Sequence, residues 1–203
     1  MNQSGEILEC ETPEIRHIHG TIIALVIRHI CKNVQYISMN ILDENLTTNG
    51  EVLIHSLHEA LKYEPDIIHL SLGTRKIKYM FKFKKVIKEA SENNLIIVSS
   101  ANNQGLVSYP AYLKGVVGVK SAKLDINQYM YKNGFFYAPG GTEGIAGIED
   151  IYCISPIMGT SISAAYITGH IANLKYSNDG IKNKEIIKSL INGSLGGKGY
   201  EYK

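Results

Sequence analysis

Three short stretches hold residue types that could do covalent chemistry: "HGT" at 19–21, "SANNQG" at 100–105 and "GTS" at 159–161. His19 precedes the apolar run "TIIALVIRHI" (21–30) and so stands at a helix start. A neutral imidazole there could take a proton from a nucleophile, because its ordinary pKa lies near working pH. Gly20 would permit close backbone approach, and Thr21 could help cap the first turn. Ser161 opens a second apolar run, reaching Leu174. A hydroxyl at a helix N-terminus feels the positive end of the dipole but needs a neighbouring base to become a nucleophile. An asparagine after a buried strand can donate to a developing oxyanion, and losing one such donor costs roughly 3–4 kcal/mol of barrier. Each stretch alone has a plainer explanation: a cap-region histidine, an Asn-Gly turn and an N-cap.

The elements between them must bring these residues together. "VQYISMNIL" (34–42), "DIIHLSLG" (66–73), "LIIVSS" (95–100), "GVVGVKSA" (115–122) and "GFFYAP" (134–139) read as strands. Residues 21–30, 51–63, 77–94, 161–176 and 183–191 read as helices. Alternating strands and helices predict an α/β fold, a mostly parallel sheet covered on both faces in three layers. Ligands of such sheets sit beyond the C-terminal strand ends, where "SLGT" (71–74) and "SSANNQG" (99–105) fall.

The totals bound the class. The chain has 203 residues, 44% of them hydrophobic, enough for one substantial core. It reads as one domain over 1–203, with residues 1–15 irregular and 193–203 a loose tail. The net charge of +2 argues neither for nor against nucleic acid. Cys10, Cys31 and Cys153 are odd in number and scattered, unlike a disulfide framework. The acidic, polar start "MNQSGEILECETPE" is no secretory signal, and no apolar run reaches the roughly 18 residues of a spanning helix. A soluble, cytoplasmic protein is expected.

Taken together and in the order His, Asn, Ser, the three stretches resemble the subtilisin-like serine proteases (subtilases, peptidase S8), from about Arg16 to about Leu190. "HGT" looks like the family's histidine motif, "SANNQG" like its oxyanion motif and "GTSISAAYITGHIA" like its nucleophile helix. "SYPA" (108–111) and "APG" (138–140) match shorter landmarks. The resemblance implies that Ser161 attacks, His19 acts as general base and Asn103 steadies the oxyanion. It also implies that a peptide or protein substrate pairs with Ser71, Leu72 and Gly73. Calcium is implied only by the family, since no acid-rich loop is evident.

Four departures accompany the resemblance. Ile18 replaces a Gly before the histidine, and Ala165 replaces a Pro on the serine helix, where Ala suits a helix interior. Asn102 replaces a Gly, setting a side chain near the expected specificity pocket. The fourth concerns the triad: subtilases carry an Asp at the end of a strand ahead of the histidine. The residues before His19 contain Glu6, Glu9, Glu11 and Glu14 but no Asp. Loss of a triad carboxylate costs about four orders of magnitude in turnover, roughly 5–6 kcal/mol of barrier. The reading is therefore a subtilisin-type endopeptidase, slow as an isolated chain. Its alternatives are a peptide-binding pseudoprotease, or a split enzyme whose Asp strand comes from a second chain docking at an open sheet edge.

Other clusters carry less. His17 with His19, and His55 with His58, lack the third ligand of a metal site. "RKIKYMFKFKKVIK" (75–88) holds seven basic residues around Phe81 and Phe83; the balanced total charge favours a solvated helix face over nucleic acid or membrane. Cys153 reads as packing, with nothing near it in sequence to lower its pKa.

Overall fold

In the computed structural model, which describes residues 18–43, 47–148 and 158–196, helices cover both faces of a five-stranded sheet. The helices are α1 (His19–Ile30), α2 (Gly50–Leu61), α3 (Met80–Glu92), α4 (Thr160–Ser177) and α5 (Asn183–Asn192). The strands are β1 (Ile67–Leu70), β2 (Ile96–Ser100), β3 (Val116–Ala122), β4 (Met130–Lys132) and β5 (Phe135–Pro139). They lie in the order β1-β2-β3-β5-β4. β1, β2, β3 and β5 run parallel, and β4 turns back antiparallel on β5. The α/β expectation holds, with β4 an addition that the sequence reading lacked.

Each strand's alternation divides the core in two. Val98, Val117, Val119 and Phe136 face α1, α4 and α5. Ile68, Leu70 and Ile97 face α2 and α3. α4 is enclosed along most of its length, from Ile162 to Ile171, so it reads as apolar without a polar stripe. α1 crosses it closely at Gly169, where a Cβ would stand 2.6 Å from Ile30 Cβ and 3.0 Å from Ile27 O. Ala165, where the family that the sequence resembles has Pro, is fully buried in an unbroken helix.

Three expectations of local structure need correction. Residues 34–42 are not a strand: they form no ladder, and Gln35 to Ser38 are exposed. Among the described residues their β-branched and aromatic types have no strand beside them, and strand preference is decided by neighbours. Thr21 does not cap α1, whose N-cap is Ile18 with no side-chain cap bond. Gly20 has open space around its Cβ position, so no close approach requires it. At the other end of the chain, Ser194 is buried and Leu195 N donates to Tyr129 O at 2.8 Å, so the beginning of the expected tail returns to the sheet. Among the described residues β1 pairs on one side only, with β2.

Candidate active site

The serine helix begins where β2, β3 and β5 end. Ser163 Oγ shares a 2.7 Å hydrogen bond with Ser121 Oγ, past the middle of β3, and contacts Pro139 O at 3.0 Å. Gly159 N donates to Gly140 O at 2.8 Å. Gly159 itself has φ +132° and ψ −170°, a region open essentially to glycine alone. A Cβ there would lie 2.8 Å from Asn103 Oδ1. The glycine before Thr-Ser is thus required twice, by its backbone angle and by the asparagine packed against it.

Asn103 is fixed by the helix it serves. Its Oδ1 accepts the Thr160 backbone N–H at 2.9 Å. Thr160 Oγ1 lies 2.6 Å from Ala101 O and 2.9 Å from Asn103 Oδ1. One hydroxyl proton serves one of these at a time, and the shorter contact to Ala101 O takes it. The backbone N–H alone then settles which amide atom is the oxygen, since an N–H cannot accept. The Asn103 amino group is left as a donor beside the helix start. Thr160, Ile162 and Ser163 N–H groups all have acceptors, whereas Ser161 N–H has none among the described residues. The amide NH2 and this helix-terminal N–H together offer two donors to an anion formed at Ser161.

Ser161 is the second residue of α4 and partly exposed. Its hydroxyl donates to Ser71 O at 3.3 Å, not to an imidazole. Ser71, Leu72 and Gly73 continue from the end of β1. The loop is pinned beyond them, because Thr74 N donates to Tyr109 O at 2.8 Å and Tyr109 N returns to Thr74 O at 2.7 Å. Asn102 turns inward on its own loop: its Oδ1 accepts Gln104 N at 2.8 Å, and its N–H donates to Ser108 Oγ.

His19 is the first residue of α1 and half-buried, and burial lowers its pKa below the usual 6.5. It is therefore neutral near pH 7, the form a base needs. Among the described residues no carboxylate pairs with it; Glu6, Glu9, Glu11 and Glu14 lie outside them, as do His17, Cys10 and Cys153.

The sequence reading missed a second imidazole. His69 Nδ1 lies 2.9 Å from Thr168 Oγ1 on α4, and Nε2 lies 2.7 Å from Ser71 Oγ. Its pKa falls to about 4, first because the ring is enclosed between β1 and α4, then because His19 adds a nearby like charge. The edge of the strand still leaves the residue some surface. The signal was present in "IIHL", where alternation puts Ile67 and His69 on the α4 face. His69 and Ser71 thus link α4 to the strand end that receives the Ser161 hydroxyl.

Comparison with known proteins places the fold and the sequence among proteases. The family model for the Subtilase family matches residues 16–201. The chain is similar to the major intracellular serine protease of Bacillus subtilis (strain 168), 27% identical over 168 residues, covering 75% of this chain and 51% of that protein. It therefore spans about half the length of the curated relative it matches. A cold adapted subtilisin-like serine proteinase superposes with a TM-score of 0.67 at 19% identity, over 86% of this chain and 66% of that one. The prenylagaramide maturation protease PagA gives 0.54 at 20%, over 73% and 58%. At these identities the two structures speak for the fold. The family match, which extends over most of the sequence, says more: this chain belongs to the subtilase family.

Proposed function

We propose that the chain is the histidine- and serine-bearing part of a serine endopeptidase that cleaves peptide bonds through an acyl-enzyme. Ser161 Oγ attacks the carbonyl carbon while His19 takes its proton. The oxyanion forms between Asn103 Nδ2 and Ser161 N–H, then collapses as His19 protonates the leaving amine. Water repeats the sequence to free the acyl group. The substrate backbone lies as an added strand along Ser71, Leu72 and Gly73. The observation that carries this reading is the Asn103 amide, locked by the Thr160 N–H beside a Ser161 N–H that has no acceptor among the described residues. A fluorophosphonate probe tests it. Slow labelling of Ser161 is expected, lost in Ser161→Ala and slowed in His19→Ala; no labelling after long incubation removes the reading for this chain. An intracellular role fits the similarity to an intracellular protease.

Slow rather than fast labelling is expected because no carboxylate orients His19 among the described residues. Among the described residues β1 is open on one side and 34–42 pair with no strand; with Tyr36 and Ile37 exposed, these favour an added extended segment bearing that carboxylate, from a second chain or from elsewhere in the same protein. Supplying such a segment should speed labelling by up to about four orders of magnitude. An unchanged rate, with no strand docking, rejects it. The Ser161 hydroxyl resting on Ser71 O favours the other alternative, a peptide-binding module without hydrolysis. That reading requires Ser161→Ala to function like the parent, and a clear loss of function excludes it.

A further inference from the structure

The approach to α3 carries an apolar pair that the fold does not use. Ile77, in the short 3-10 turn Ile77–Tyr79, is 66% exposed, and Phe81 is 75% exposed. Tyr79, Phe83, Val86 and Ile87 all point into the core. The sequence alone left Phe81 and Phe83 equivalent; burial separates them. Ile77 and Phe81 stand about one turn apart and so share the outer side.

Cations surround the pair. Arg75, Lys76, Lys78, Lys84 and Lys85 are all exposed, and residues 67–88 contain no acid. Lys82 is taken up by Glu51 of α2, and Lys88 lies 3.7 Å from Glu92. The other five have no carboxylate partner among the described residues. Lys78 and Lys84 sit instead over the Tyr79 and Phe81 rings, 4.9 and 5.7 Å from their centroids. Because the inward side of α3 is held by the core, this face is presented without a folding cost.

We propose that this face docks the protein on an anionic bilayer, with Ile77 and Phe81 entering the interfacial layer and the five cations meeting lipid phosphates. The chemistry is that of a peripheral helix: apolar tips at the centre, positive charge around them and an anionic plane as the complement. A lipid surface fits better than the other acidic partners. A single-stranded nucleic acid would want several stacking rings, and Phe81 is the one exposed phenylalanine here. An acidic peptide would want a groove or an open strand edge, whereas Ile77 and Phe81 stand exposed on a 3-10 turn and a helix. The proposal stands apart from the catalytic reading.

The test is co-sedimentation of the full chain with phosphatidylcholine vesicles, with and without phosphatidylglycerol, at low salt. Sedimentation is expected only with phosphatidylglycerol, fading as salt screens the charges. Removing two charges with Lys84→Gln and Lys85→Gln should weaken partitioning roughly five-fold per charge. Phe81→Ser, and separately Ile77→Ser, should weaken it about ten-fold. Ser161→Ala should leave it unchanged, which separates this result from any failure of catalysis. All the altered surface residues are exposed, and circular dichroism confirms that the variants fold. Sedimentation that is equal without phosphatidylglycerol, or indifferent to both apolar variants, overturns the proposal. So does tighter binding to a single-stranded oligonucleotide than to the vesicles.

Discussion

Asn103 shows how one hydrogen bond assigns a role. Its oxygen is committed to the Thr160 N–H, so its amino group is the donor available to an oxyanion. Asn103→Ala should lower the rate of Ser161 acylation by about 100- to 1000-fold while leaving peptide affinity near its parental value. A matching loss in affinity would assign Asn103 to substrate binding instead. His19 sets the pH dependence. Its pKa lies below 6.5 through burial, so the neutral imidazole persists to lower pH than a free histidine allows. The acid limb of the labelling rate should therefore fall below pH 6.5; a limb above it would mean that a negative charge stabilises the imidazolium in the working protein. At this scale the motifs singled out the three groups proposed to react. The sequence concealed what engages the side chains: nothing in "ANNQG" says that Asn102 folds onto Gln104 N whereas Asn103 reaches Thr160.

At the scale of elements, glycines decide whether the groups meet. Gly159 and Gly169 place the start of α4 against Asn103 and the body of α4 against α1. Gly159→Ala combines an unfavourable backbone region with a Cβ forced against Asn103 Oδ1, and should cost roughly 1–3 kcal/mol in strain alone. Its labelling rate should drop further than the stability loss explains, because Asn103 must move. Gly169→Ala should destabilise by about 1–3 kcal/mol through overpacking on Ile30, with the labelling rate of the folded fraction retained. Urea unfolding paired with probe labelling separates the two outcomes. The helices and four parallel strands were legible because their apolar spacing follows the core. Residues 34–42 were not, since Tyr36 and Ile37 have strand-like types without a strand beside them among the described residues.

Across the whole molecule, α4 ties the sheet to the site and holds both strongly perturbed histidines. His69 bonds to Thr168 of that helix; His170 lies on it, its ring centroid 4.6 Å from that of Tyr129, with its Nε2 buried and unpartnered. Burial is the leading cause that lowers each to about 4, against 6.5 for an ordinary histidine. The unfolded chain therefore binds these protons below about 6.5, whereas the native state refuses them until near 4. Stability from the neutral rings is complete above 6.5 and declines as pH falls towards 4, by a total on the order of a few kcal/mol. Urea midpoints measured across that window should fall. They should fall less in a His69→Asn, His170→Gln double variant, which has no ring to protonate in either state. An equal decline in parent and variant would trace acid sensitivity to the carboxylates instead. Because His69 also bonds Ser71, whose carbonyl receives the Ser161 hydroxyl, protonation of that ring would disturb the strand end proposed to take the substrate before the core gives way. Binding of a substrate peptide, which needs no proton transfer by His19, should then fail at a higher pH than the loss of helical circular dichroism, and coincident loss would mean that the strand end and the core open together.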